Sequence, residues 1–168
     1  MPKRYLVFKW AVYGLATLAL VFLSSLLLGR LTIGGVHFLL LPMFVGVVAS
    51  YEGSLASPIF ALAFGFLCDL GGAGPLPGFY TFAFTLAALI AALLAENLFS
   101  PGFLCSLVST AVCYLICGLG RCLVHVSDGA ALPTVLLLAA REFLISLPLL
   151  LAVFPLYRWL HRKTTVEY

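Results

Sequence analysis

Charge is what this chain most lacks. Only 9% of its residues are Asp, Glu, Lys or Arg, and 64% are hydrophobic, whereas soluble domains run at about 25% charged. With a mean hydropathy of +1.19, its 168 residues hold more apolar surface than a soluble fold of that size hides. The class that remains is a polytopic membrane protein. Other absences narrow the chemistry. No linker is long enough for a soluble domain, so residues 1–168 read as one membrane domain. No basic patch interleaved with aromatics argues for nucleic acid. "GGAG" (71–74) is glycine-rich but has no Walker lysine. No His, Asp or Cys set has metal-ligand spacing. No nucleophile–base pair or paired acids mark an active site, so neither an enzyme nor a cofactor is expected. The cysteines, Cys68, Cys105, Cys113, Cys117 and Cys122, are odd in number and lie in apolar context. That argues against a disulfide framework, and they read as small apolar helix residues. No small-x-small cleavage site follows the apolar stretch after "MPKRYLVFKW", so an uncleaved first membrane helix is expected.

What is present is a series of apolar stretches, at about 10–29, 36–51, 57–70, 78–96, 102–124 and 132–157. Turn signals or polar residues separate them. Ser57–Pro58 and Ser100–Pro101 each place a capping hydroxyl before a proline suited to the first helical position. Six spans put both termini on one side. Lys3, Arg4 and Lys9 open the chain, and Arg158, Arg162 and Lys163 close it, whereas the expected outer loops (30–35, 71–77, 121–131) carry only Arg30 and Arg121. The positive-inside rule then gives N-in, C-in. Trp10, Tyr13, Tyr157 and Trp159 read as interface anchors, and His37, His125 and His161 as interfacial residues.

The spans are uneven. A helix needs about 20 residues to cross roughly 30 Å of hydrocarbon. Ser57 to Leu70 would reach only about 21 Å, and Pro42 interrupts the stretch before it. A short third helix would leave Asp69 submerged or at the interface, where a carboxylate is costly unless it is paired or hydrogen-bonded. The turn after it holds Gly71, Gly72, Gly74 and Gly78, with Pro75 and Pro77. Such a turn would let Asp69 accept hydrogen bonds from the first amides of the next helix, which lack partners of their own. That is the structural reading. An ion or substrate ligand and a contact to a partner protein are the alternatives.

The last span carries Arg141 and Glu142 about nine residues inside its start. Neighbours on a helix point about 100° apart, so each calls for another partner. Asp69–Arg141 is the expected pair, with Arg141 snorkelling as the alternative. Pro148 should kink this helix. In the fourth span Ala83, Ala87, Ala91 and Ala95 recur every four residues, a spacing that lets another helix pack closely in lipid. That face serves either internal packing or a partner's membrane helix.

Residues 56–94, "ASPIFALAFGFLCDLGGAGPLPGFYTFAFTLAALIAALL", resemble the core signature of the bacterial rod shape-determining MreD family. Gly65, Asp69, Gly71 and Gly78 fall on its pattern of a Gly, an apolar gap, an Asp, a small-residue turn, a Gly and a long apolar helix. The proline in the preceding span and the short basic tail also fit. Pro75 and Pro77 depart from it by making the turn more proline-rich. A related arrangement occurs in the substrate-binding S components of energy-coupling-factor transporters. The resemblance implies an all-α integral membrane protein of six transmembrane helices, with an S-component-like fold, in the bacterial cytoplasmic membrane. It also implies a non-enzymatic part in cell elongation: binding the single-span scaffold MreC and coupling MreB filaments to a peptidoglycan polymerase and its penicillin-binding partner. An S component is the competing expectation, and it would need polar side chains converging on a pocket.

Overall fold

The computed structural model describes residues 3–28, 32–33, 36–37, 39–72, 74–98, 102–127, 129 and 131–164. Arg30 and Ser100–Pro101 lie outside them. The described residues form helices α1 (Lys3–Leu28), α2 (Leu41–Tyr51), α3 (Ala56–Leu70), α4 (Phe79–Leu98), α5 (Phe103–Ser127) and α6 (Leu132–Thr164). A two-residue ladder, β1 (Thr32–Ile33) and β2 (Val36–His37), lies between α1 and α2. It pairs antiparallel, Thr32 opposite His37 and Ile33 opposite Val36. Four helices, α1, α4, α5 and α6, are long and apolar enough to cross a membrane, while α2 and α3 are shorter.

The second expected span therefore starts five residues late. The first part of that stretch pairs as a strand, and Pro42 opens α2 rather than interrupting it. A proline has no N–H to donate, and in the first turn none is needed. Every residue of α2 from Pro42 to Ser50 is buried. It is the central helix, with α3, α4, α5 and α6 around it. Gly46 lets α5 come close: a Cβ there would stand 2.5 Å from the Thr110 Cα.

Successive helices alternate in direction. The start of α1, the end of α2 and the end of α6 meet at what we term the terminal end, through Lys9, Glu52 and His161. Phe103 at the start of α5 packs on Phe154 near the same end, with ring centroids 5.3 Å apart. At the far end, α3 closes against the start of α4 through Asp69. The start of α3 departs from expectation: Leu55 is the N-cap and makes no side-chain cap bond. Ser57 instead donates back to the Glu52 and Gly53 carbonyls, at 2.8 and 3.0 Å. Helix α6 continues through Pro148 and Pro155.

The alanine face of α4 is interior. Ala83, Ala87, Ala88, Ala91 and Ala92 are all buried, and Ala95 is half-buried. Its neighbours are α3, α5 and α2 of the same chain. Small side chains let those backbones approach closely, as expected where lipid supplies no hydrophobic drive between helices.

Candidate functional site

The turn between α3 and α4 brings the motif residues together. The first amides of α4 lack intrahelical partners, and Asp69 supplies them from the last turn of α3. Its Oδ1 accepts from the Tyr80 amide at 3.0 Å. Its Oδ2 accepts from the Thr81 amide at 2.8 Å and from the Thr81 hydroxyl at 2.7 Å. The helix dipole adds to the attraction, because the carboxylate faces the positive end of α4. Gly65, one turn before Asp69, makes this approach possible: a Cβ there would lie 2.6 Å from the Tyr80 carbonyl oxygen and 2.7 Å from the Thr81 Cα. In the turn, Gly72 and Gly78 have φ of +68° and +77°, a region costly for residues with a Cβ. Gly71 caps α3 with ordinary φ. Gly74 leaves room for the carboxylate, since a Cβ there would crowd Oδ1 at 3.0 Å.

The expected Asp69–Arg141 pair is not formed. Asp69 is satisfied at the turn, and Arg141 is exposed on α6. The buried Glu142 is instead held by Arg121 of α5, with Nη1 to Oε2 at 2.6 Å and Nη2 to Oε1 at 3.2 Å. Arg121 was expected in an outer loop. It lies instead within α5, where the expected fifth stretch and that loop overlap, and is half-buried. A two-pronged guanidinium–carboxylate contact is strong in itself, but burying both charges offsets most of the gain, so it specifies the α5–α6 packing more than it stabilises the fold.

A polar cluster at the terminal end was not foreseen. Glu52, after the last residue of α2, is buried. Lys9 Nζ lies 2.7 and 2.8 Å from its two carboxylate oxygens, and His161 Nδ1 lies 3.4 Å from Oε1. The Tyr13 hydroxyl meets the same His161 nitrogen at 3.2 Å, and Thr17 bonds the Tyr157 hydroxyl at 2.5 Å. Burial works against the charge on Glu52, but His161 and Lys9 outweigh it and hold the carboxyl below its ordinary value of 4.5. Tyr13 and Tyr157 are thus fully buried packing residues rather than interface anchors. Trp10 is half-buried with its ring 6.0 Å from Phe60. Trp159 alone of the four is exposed. The only sequence signal for this cluster was the isolated Glu52 in an apolar chain.

Glu96, near the end of α4, accepts from the Ser54 amide at 2.7 Å. Among the described residues no three His, Cys, Asp or Glu side chains gather as a metal site. A furrow of about 450 Å³ lies between α1 and α3, lined by Trp10, Gly14, Leu18, Ile59, Phe60 and Phe64 among others. A smaller one, about 220 Å³, lies beside Ser50, Tyr51, Glu52 and Glu96. Neither contains Asp69, Arg141 or Glu142. Chemically, the arrangement is an α-helical membrane-protein bundle whose buried charges join helices. The chain matches no family model, no curated protein and no solved structure.

Proposed function

We propose that this chain is a non-enzymatic component of the bacterial cell-elongation machinery, of the rod shape-determining MreD type. It crosses the cytoplasmic membrane six times with both termini inside. It binds a single-span scaffold of the MreC kind and helps couple MreB filaments to a peptidoglycan polymerase and its penicillin-binding partner. One observation supports this reading over a transporter subunit. Asp69, Arg141 and Glu142, the residues a substrate site would need together, are divided among a helix cap, an exposed helix face and a pair with Arg121. A capture site needs polar groups that converge. The resemblance of residues 56–94 supports it as well, because its Gly65 and Asp69 build the α3–α4 junction.

Ala83, Ala87 and Ala91 are buried within the chain, so on this reading a partner helix meets other surfaces. The outward sides of α1 and α3, where Phe22 and Ile59 are exposed, are the places to probe. Photo-crosslinking residues at Phe22 and Ile59, followed by purification in mild detergent, test the proposal. The expected result is capture of a single-span scaffold, with a cell-wall synthase co-purifying. Co-purification of an ATPase module instead, together with lost solute uptake and unchanged rod shape on gene deletion, would overturn it in favour of the S-component reading.

A further inference from the structure

The last turns of α6 present two unlike sides. Tyr157, Leu160 and Thr164 are buried, and His161 is half-buried against Glu52 and Tyr13. Arg158, Trp159, Arg162 and Lys163 are all exposed. Their spacing of one, four and five residues puts them on one side of the helix. The bonds of Tyr157 to Thr17 and of His161 to Tyr13, with the stacking of Tyr51 on His161 at 5.2 Å, fix which way that side points. The basic face is therefore held in place by the packing behind it.

Its charge is not neutralised by the described residues. No carboxylate among them lies within ion-pair distance of Arg158, Arg162 or Lys163. The acid at this end, Glu52, is taken by Lys9 and His161, and Glu96 holds the Ser54 amide. The acid that follows in the chain, Glu167, lies outside the described residues, and its single charge would still leave the face cationic.

The level in the membrane follows from helix length. Helix α6 starts at Leu132 and has 33 residues. At about 1.5 Å per residue, Arg158 comes roughly 40 Å along it, beyond a hydrocarbon layer of about 30 Å. Trp159 stands at the same level, 54% exposed, with Lys163 Nζ 4.3 Å from its ring centroid. A tryptophan in that position suits the headgroup zone, and the ammonium over its ring holds a cation there.

We infer that Arg158, Trp159, Arg162 and Lys163 form a seat for anionic phospholipid headgroups. Two guanidiniums and an ammonium meet the phosphate, and the indole lies along the glycerol and first methylenes. Each cation near an anionic surface is worth about fivefold in apparent affinity. Basic residues at this end also read as topology signals, and a preference for anionic lipid is what separates the two roles.

The test uses the full chain with Trp10→Phe, which leaves Trp159 as the only tryptophan of two. In mixed vesicles, brominated phosphatidylglycerol should quench Trp159 more than brominated phosphatidylcholine at equal mole fraction. In Arg158→Gln/Arg162→Gln/Lys163→Gln the preference should vanish, with the far-ultraviolet circular dichroism and thermal transition retained. Native mass spectrometry of the unsubstituted chain should show retained phosphatidylglycerol, reduced at least tenfold by the triple substitution. Equal quenching by both lipids would overturn the inference and leave the cations as topology signals only. So would a preference that survives the triple substitution, or one that millimolar inorganic phosphate abolishes while sodium chloride of equal ionic strength does not.

Discussion

Asp69 shows how a single carboxylate can be kept in so apolar a chain. Its three hydrogen bonds all come from the first turn of α4, and hydrogen bonds to a charged group are worth about 1.5–3 kcal/mol each, net of the exchange with water. Asp69→Ala leaves two amides and a hydroxyl without their acceptor. It is expected to cost about 2 kcal/mol or more, while Asp69→Asn, which keeps one acceptor oxygen, costs less. Thermal unfolding in detergent checks this, and an Ala variant as stable as the parent would make Asp69 a bystander. The cap was legible in the sequence because an acid, a glycine turn and a new apolar run lie within a few residues of one another. The Thr81 hydroxyl was not, since any first-turn residue satisfies the amide pattern. The true partners of Glu142 and Glu52 were hidden for a different reason. Arg121 stands 21 residues from Glu142 and Lys9 stands 43 from Glu52, and spacing along a chain fixes a helix face but not the helix opposite it.

That limit recurs among the helices. The period of Ala83, Ala87 and Ala91 was plain, yet whether α3 and α5 or another protein covered it depended on packing order. The lengths of α3 to α5 were close to legible, because glycine, proline and charge bound them. The start of α2 was not, since the apolar residues ahead of Pro42 suit a strand as well as a helix. Helix α1 poses a sharper question, because its polar ties to other elements cluster at Lys9, Tyr13 and Thr17, while Leu18, Phe22, Leu23 and Leu26 are exposed. Its attachment should therefore rest on Glu52. The folded-state carboxyl sits below its ordinary value of 4.5, so its contribution is fully present above that pH and is lost as pH falls through the lower folded value. Glu52→Gln should lower the unfolding temperature at pH 7, by an amount corresponding to about 2 kcal/mol. The gap to the parent should narrow steadily below about pH 4.5. A gap that stays constant from pH 7 to pH 3 would mean that the charge on Glu52 does not hold α1.

Across the whole molecule the alternation of helix direction and the distribution of charge point the same way. Lys9, Arg158, Arg162 and Lys163 gather at the terminal end, with Glu52 and Glu96. Among the described residues the other half of the bundle offers Asp69, already satisfied, the paired Arg121 and Glu142, and the exposed Arg141. On the proposed six-crossing reading the positive-inside rule places the more basic end inside, with Ser54 on the cytoplasmic side and Ser127 on the outer side. The native cysteines, with Cys113 and Cys117 fully buried, call for small replacements such as alanine or serine before labelling, and the background must keep the parental thermal transition. In that background, single cysteines at Lys3, Ser54 and Thr164 should resist a membrane-impermeant maleimide in intact cells and react after permeabilisation, while one at Ser127 should react from outside. Alternating directions tie these positions together: α1, α3 and α5 begin at one end, and α2, α4 and α6 finish there. Outside labelling at Thr164 with silence at Lys3 would mean an odd number of crossings. That outcome would contradict the meeting of Lys9, Glu52 and His161 at one end and so overturn the helix arrangement itself.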